Sequence, residues 1–241
     1  MKATILFAAA LLSSTVMASA ADLGHPVIAS QPVPYSWTGW HFGALVSYTD
    51  STSTVSNIEF EGTPAGIDPY SVHPRGFGLG AEVGYDQQFG SMVVGFAVDG
   101  DWLNATNKDS RYLVTPYNFS TESKVDWMST ARLRAGFAVD RALFYATGGL
   151  AVGSVESVIH DVYPGPVTVT TSDTNTQVGW TLGGGIDFAV TDKISLKAEY
   201  LYYDLGSHSN TFYEGAGGWN PITTSLKTTG SIGRIGANFR F

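Results

Sequence analysis

Apolar and polar residues alternate strictly between Ile194 and Asp204. A period of two predicts a β-strand with two unlike faces. One face ends in aromatic residues, at Tyr200 and Tyr202, whereas the other carries opposite charges, at Lys197 and Glu199. Aromatic residues suit a membrane interface, and opposite charges two residues apart suit an internal ion-pair network. The pattern therefore predicts a transmembrane strand that is apolar outside and charged inside.

The same alternation recurs in seven other stretches of the chain. Their apolar residues lie within Trp40–Tyr48, Phe77–Tyr85, Val94–Trp102, Val125–Phe137, Phe144–Val152, Val178–Phe188 and Ile235–Phe241. Each stretch is near the roughly ten residues that a tilted strand needs to cross a bilayer. We therefore predict an all-β fold, an eight-stranded antiparallel up-and-down transmembrane β-barrel over residues 37–241.

The connections between these stretches are alternately short and long. Short turns are predicted at Gln87–Ser91, Val139–Arg141 and Val190–Lys193. Long polar segments without a pattern of their own separate the other strands, at Asp50–His73, Leu103–Ser123, Val155–Asn175 and Gly206–Ser225. Short periplasmic turns and long extracellular loops are typical of outer-membrane barrels. We expect all four long segments to be extracellular loops.

The first twenty residues have the features of a secretory signal peptide. Lys2 supplies the positive start, residues 5–12 the apolar core and Ala18-Ser19-Ala20 the cleavage site. Residues 21–36 are rich in proline and show no alternation, so we expect an extended periplasmic lead-in. The sequence thus predicts an exported protein that crosses the outer membrane with strands.

Composition excludes several classes of function. The chain contains no cysteine, which excludes a disulfide framework and a thiolate metal site. Its net charge of −8 argues against nucleic acid as a partner, because phosphate binding needs a basic surface. We expect outer-membrane lipid to surround a monomer.

The predicted inner face carries many charges. A barrel of eight strands has room inside only for its own side chains. Unpaired ions in such an interior are very costly, so the charges must pair with one another. We predict a structural network of ion pairs in the lumen, with a narrow charged conduit as the alternative. Its members are Glu82, Asp99, Asp126, Arg132, Arg134, Lys197, Glu199 and Arg234.

Four segments carry a family resemblance. They are Ser36-Trp37-Thr38-Gly39-Trp40, Thr147-Gly148-Gly149-Leu150-Ala151, Gly179–Gly185 and Lys197–Gly206. Together they resemble motifs of small Gram-negative outer-membrane β-barrel surface antigens, the porin-like, opacity-type family with an OmpA-like transmembrane domain. Phe239 and Phe241 resemble the C-terminal assembly signal of that family. The resemblance implies insertion by the barrel-assembly machinery and a role in envelope integrity or as a surface antigen.

The sequence is compatible with three functions. The first is a structural barrel whose loops meet an unknown extracellular partner. The second is a haemin-binding or small-solute porin-like protein. Haem would need an axial ligand at the rim, and His160 and His208 are the candidates. The third is an enzyme, for which Ser207-His208-Ser209 with Asp204 is a weak cluster because adjacent Ser and His do not form a triad. We predict the first function, without catalytic residues, metal or cofactor.

Overall fold

The computed structural model describes residues 35–60, 62–64, 68–114, 117–162, 168–214 and 220–241. The predicted signal peptide and residues 21–34 of the predicted lead-in lie outside this part of the chain. Within it, no helix is long and apolar enough to cross a membrane.

The regular structure of the described residues is entirely β. In chain order the strands are β1 Gly39–Phe60, β2 Thr63–Pro64, β3 Tyr70–Val72, β4 Arg75–Phe89, β5 Met92–Val114, β6 Tyr117–Val139, β7 Ala142–Val162, β8 Thr168–Ala189, β9 Ile194–Glu214 and β10 Asn220–Arg240. Consecutive long strands pair antiparallel, and β1 pairs with β10, which closes the sheet. The short strands β2 and β3 pair with β1. The predicted eight-stranded antiparallel barrel is confirmed.

Side chains along the barrel strands point alternately outward and inward. The outward side chains of Phe77 and Trp102 are 71% and 78% exposed, whereas the inward side chains of Glu82 and Arg132 are each 3% exposed. This distribution is the reverse of that in a water-soluble barrel or sandwich. It gives the outer surface an apolar belt and places the charged side chains inside.

The pairing register gathers outward aromatic residues at two levels. Trp40 pairs with Tyr85 near the end where the chain enters the barrel, and their rings lie 5.4 Å apart. Eight residues later on β1, Tyr48 pairs with Phe77, and these rings lie 5.0 Å apart. Two aromatic rims of this kind flank the apolar belt of transmembrane barrels, where amphipathic rings favour the membrane–water interface.

Most of the strands extend well beyond the belt. β5 and β6 have 23 residues each, against the roughly ten that a membrane crossing needs. Where they are described, much of the four segments predicted as extracellular loops is therefore paired strand, as in Val155–Val162 and Thr168–Asn175, which pair with each other in the β7–β8 ladder. Outside the membrane these strands need no apolar outer face, so their Ser- and Thr-rich sequence carries no hydrophobic period to detect.

An irregularity in β6 changes which side chains face inward. The register of β6 shifts between Val125 and Trp127 against both neighbouring strands. Val125 is consequently buried inside the barrel, although the sequence pattern placed it on the lipid face. A bulge adds one residue to one strand and so reverses the alternation beyond it.

Two outward residues of β8 test the position of the lipid belt. Leu182 lies in the belt and is 59% exposed, and Thr176 is exposed six residues further out. We expect Leu182→Arg to lower the free energy of unfolding in vesicles by about 2–4 kcal/mol, because a charge would enter hydrocarbon. The control Thr176→Arg should change it by less than about 0.5 kcal/mol. Urea titration of gel mobility without boiling measures both values, and equal effects would contradict the assigned belt.

Candidate functional site

The candidate site is the charged middle layer of the lumen. Inward side chains of β4, β5, β6, β9 and β10 meet there because the strands are tilted and their inner faces converge. The structure places seven of the eight predicted network residues, all buried, inside the barrel: Glu82, Asp99, Arg132, Arg134, Lys197, Glu199 and Arg234.

Arg132 is the centre of this layer. Its Nη1 donates to Glu199 Oε1 at 2.8 Å, and its Nη2 donates to Asp99 Oδ2 at 2.6 Å. Nη2 also lies 3.4 Å from Glu82 Oε2, and Nε donates to Thr130 Oγ1 at 2.8 Å. One guanidinium therefore connects carboxylates from three strands, β4, β5 and β9. The planar, multiply donating guanidinium suits this role better than a lysine ammonium.

Two further cations complete the upper part of the network. Arg234 Nη1 lies 2.8 Å from Asp99 Oδ1, and its Nη2 lies 2.5 Å from Asp101 Oδ2. The Lys197 ammonium donates to Glu82 Oε1. Each buried carboxylate of this layer thus has a cation beside it, which offsets the cost of removing the charges from water.

A second group of charges lies nearer the periplasmic end. Arg134 Nη2 donates to Asp187 Oδ2 at 2.8 Å, and Arg134 Nε lies 3.2 Å from Asp86 Oδ1. His41 stands between the two groups, with Nδ1 3.6 Å from Asp86 Oδ2 and Nε2 3.4 Å from Glu82 Oε1. The network is therefore continuous along the barrel axis.

Asp126, the eighth predicted member, lies outside the network. Its carboxylate is 2.7 Å from Lys124 Nζ, and both side chains are about a third exposed, at 31% and 38%. The cause is the β6 bulge, which interrupts the alternation on which the prediction rested.

Tyr145 is a network residue that the sequence pattern did not assign. It is buried, its hydroxyl donates to Glu199 Oε1 at 2.9 Å, and its ring centroid lies 4.1 Å from the Arg134 guanidinium carbon. A Cβ on Gly185 would lie 2.6 Å from this hydroxyl, so only glycine leaves room for the ring. The adjacent Phe144 points to lipid, which left the phase of β7 ambiguous.

The periplasmic end of the lumen is closed by Trp37, which precedes β1 and is fully buried. Its backbone N–H donates to Gln88 Oε1 at 2.8 Å, and its carbonyl accepts a hydrogen bond from Arg240. The Arg240 guanidinium carbon lies 5.0 Å from the Trp37 ring, a cation–π contact. Trp37 thereby joins the start of the barrel to its last strand.

The extracellular end of the membrane-spanning lumen is filled by apolar side chains. The Tyr203 hydroxyl lies 2.5 Å from Ser51 Oγ at the edge of this layer. The layer's buried members are Val55, Tyr70, Val72, Leu103, Ala105, Val125, Met128, Ala151, Val155, Leu201, Tyr203, Leu205, Leu226 and Ile232. The lumen therefore contains an apolar layer, a charged layer and a Trp37 plug in succession.

The two histidines proposed as haem ligands lie on different strands, separated by β8. His208 is exposed on β9 and pairs with Leu226. The backbone of His160 lies in β7, and its side chain is outside the described residues. The haem hypothesis stays a prediction from the sequence. In the weak catalytic cluster, Asp204 pairs with Lys227 at 3.3 Å and accepts from the Gly206 N–H at 2.8 Å.

The network can be tested with one buried and one exposed arginine. Arg132→Ala leaves three buried carboxylates short of a cation, so we expect a loss of about 3–5 kcal/mol in the free energy of unfolding. The control is Arg141→Ala, which removes an exposed pair with Asp192, 47% and 85% exposed, and such pairs contribute about 0.2–1 kcal/mol. Urea unfolding in vesicles measures both. If Arg132→Ala costs no more than Arg141→Ala, the buried layer is not a stabilising network.

Comparison with known proteins agrees with this architecture. Residues 6–241 match the family model of the outer membrane protein beta-barrel domain. The solved structure of the outer membrane protein OprG from Pseudomonas aeruginosa superposes with a TM-score of 0.59 at 11% identity, covering 85% of this chain and 96% of that chain. At this identity the likeness shows the fold alone.

Two sequence relatives are closer. The 31 kDa outer-membrane immunogenic protein of Brucella melitensis is 30% identical over 253 residues, covering 100% of both chains. The 22 kDa outer membrane protein of Rhizobium leguminosarum bv. viciae is 29% identical over 172 residues, covering 71% of this chain and 66% of that protein. The chain therefore belongs to the outer membrane protein beta-barrel family and is an integral protein of the bacterial outer membrane.

Proposed function

We propose that this barrel has a structural and surface-interaction role, as a monomer whose extracellular strands meet partners outside the cell. The observation that carries the proposal is the filled lumen. The Arg132 guanidinium and the apolar layer above it are both buried inside the barrel. A barrel whose interior is packed in this way offers solutes no path, so its contribution lies in its walls and its outer end.

The extracellular extension supplies the surface for such partners. Pairing between β8 and β9 ends at Trp180–Asp204, but both strands continue outward, β8 as Thr168–Gly179 and β9 as Leu205–Glu214. Among the described ladder pairs, none joins these two outer segments. Extended strands beyond the end of a shared ladder can pair with another extended chain through their backbone groups. We propose that a polypeptide partner contacts these outer segments.

The relatives support a position at the cell surface. Proteins of Brucella that match the whole chain are named outer-membrane immunogenic proteins, which fits hairpins that reach the exterior. We extend that property, a surface antigen, to this chain. Phe239 lies near the end of β10 and Phe241 follows that strand, where Phe241 stacks on Phe42 with ring centroids 5.5 Å apart. We propose that the barrel-assembly machinery recognises Phe239 and Phe241.

Surface display is testable because the chain contains no cysteine. Ser209 is exposed on the outer extension of β9, and Ser91 is exposed in the turn between β4 and β5. We expect Ser209→Cys to react with a membrane-impermeant maleimide on intact cells. The matched control Ser91→Cys should react only after the envelope is permeabilised. Labelling of Ser91→Cys on intact cells, with Ser209→Cys protected, would reverse the orientation and contradict the proposal.

The closed lumen predicts the electrical behaviour of the barrel. Because the charged and apolar layers fill the interior, we expect the folded protein in a planar lipid bilayer to give no stable single-channel steps. Folding of the sample is checked by its change in gel mobility on boiling. Reproducible steps from a folded sample would overturn the structural role and favour a porin-like function.

A further inference from the structure

The outer wall of the barrel contains a groove that the proposed function does not use. It crosses β8, β9, β10, β1 and β4, and its volume is about 590 Å³. Outward side chains such as Tyr48, Tyr200, Ile186 and Ile235 line it. It therefore interrupts the lipid-facing belt.

The groove exists because small residues stand where the belt elsewhere has large ones. Gly233 pairs with Tyr200 on one side and with Tyr48 on the other. A Cβ at Gly233 would have no atom within 4 Å, so the space between the two rings is open. Two more small residues line the groove toward β8. Gly184 pairs with Tyr200, and Ala198 lies two residues from Tyr200 on the periplasmic side.

Polar residues lie on the extracellular side of the groove. One ladder step above Gly233 lie Ser231 and Asp50, which pair with each other. The Tyr200 hydroxyl donates to Ser231 Oγ at 2.7 Å, and Arg75 Nε donates to Asp50 Oδ1 at 3.0 Å. Both members of the Arg75–Asp50 pair are about half exposed, at 59% and 46%. An apolar channel that ends beneath hydroxyl and charged groups has the polarity profile of a membrane lipid.

We propose that this groove holds one fatty acyl chain of an outer-leaflet lipid, with the lipid headgroup at the level of Ser231, Asp50 and Arg75. The groove opens onto the apolar belt. Tyr48 and Phe77, which line the groove, belong to the extracellular aromatic rim of the belt, so the groove lies in the outer half of the bilayer. The chain packs over Gly233 between the rings of Tyr48 and Tyr200. A flexible chain fills such a depression, and an empty depression would forfeit the dispersion contacts of its lining.

A second copy of the barrel is the other occupant to consider. A two-fold dimer centred on the groove would set two concave surfaces against each other and leave both unfilled. The groove also opens toward the bilayer, where acyl chains are present at the highest concentration. These two facts favour lipid over a second protein.

The experiment compares two glycine substitutions on the lipid-facing surface. Gly233→Leu fills the groove, whereas Gly100→Leu adds the same side chain at an exposed outward position of β5 whose Cβ would come no closer than 3.9 Å to a neighbour, Ser129 Oγ. Each full-length protein is folded in phosphatidylglycerol vesicles and extracted into mild detergent. Native mass spectrometry then counts the phosphatidylglycerol molecules retained per barrel.

We expect the unaltered protein and Gly100→Leu to retain one phosphatidylglycerol and Gly233→Leu to lose it. Equal retention by all three, or no retained lipid in the unaltered protein, would overturn the proposal. A mass of two chains that Gly233→Leu abolishes would also overturn it, because the groove would then be an interface between copies. Gel mobility without boiling confirms that each sample is folded. If Gly233→Leu does not fold, Gly233→Ala replaces it and must retain less phosphatidylglycerol than the control Gly100→Ala.

Discussion

Closure of the backbone hydrogen-bond ladder is the constraint on which the rest of this structure depends. In hydrocarbon no water is present to satisfy a free N–H or C=O, so a sheet can cross the membrane only if its first and last strands pair. β1 and β10 do so continuously from His41–Arg240 to Ser56–Ser225. Closure fixes an inside and an outside, and the alternation of each strand then assigns every side chain to one of them.

The inside must solve an electrostatic problem. Charges enclosed by the sheet need partners inside the barrel. Arg132 binds Asp99 on the adjacent strand β5. Arg234 and Lys197 bind carboxylates on β5 and β4, strands that are not adjacent to their own. Glycines provide the space, as Gly185 does for Tyr145. The same packing that stabilises the barrel also blocks its lumen, so the two properties have one physical cause. That is why the proposed function lies at the extracellular end.

The outer wall is not uniform either. Where Gly233 and Gly184 stand in place of larger residues, the lipid-facing belt contains a groove. Further out, the bilayer no longer imposes closure, and the β8–β9 ladder ends at Trp180–Asp204. The barrel thus changes character along its axis according to the solvent around it, from hydrocarbon at the belt to water at the hairpins.

The sequence by itself indicated the eight long barrel strands, the faces of most of their residues and seven of the eight network residues, because a period of two is a local property of each strand. It did not determine what depends on neighbours. The β6 bulge moved Asp126 out of the network and Val125 into the lumen. Tyr145 faced inward because Gly185, on another strand, left space for it. Strand extension beyond the membrane and the Gly233 groove likewise arise from pairing between strands, which no single stretch of sequence records.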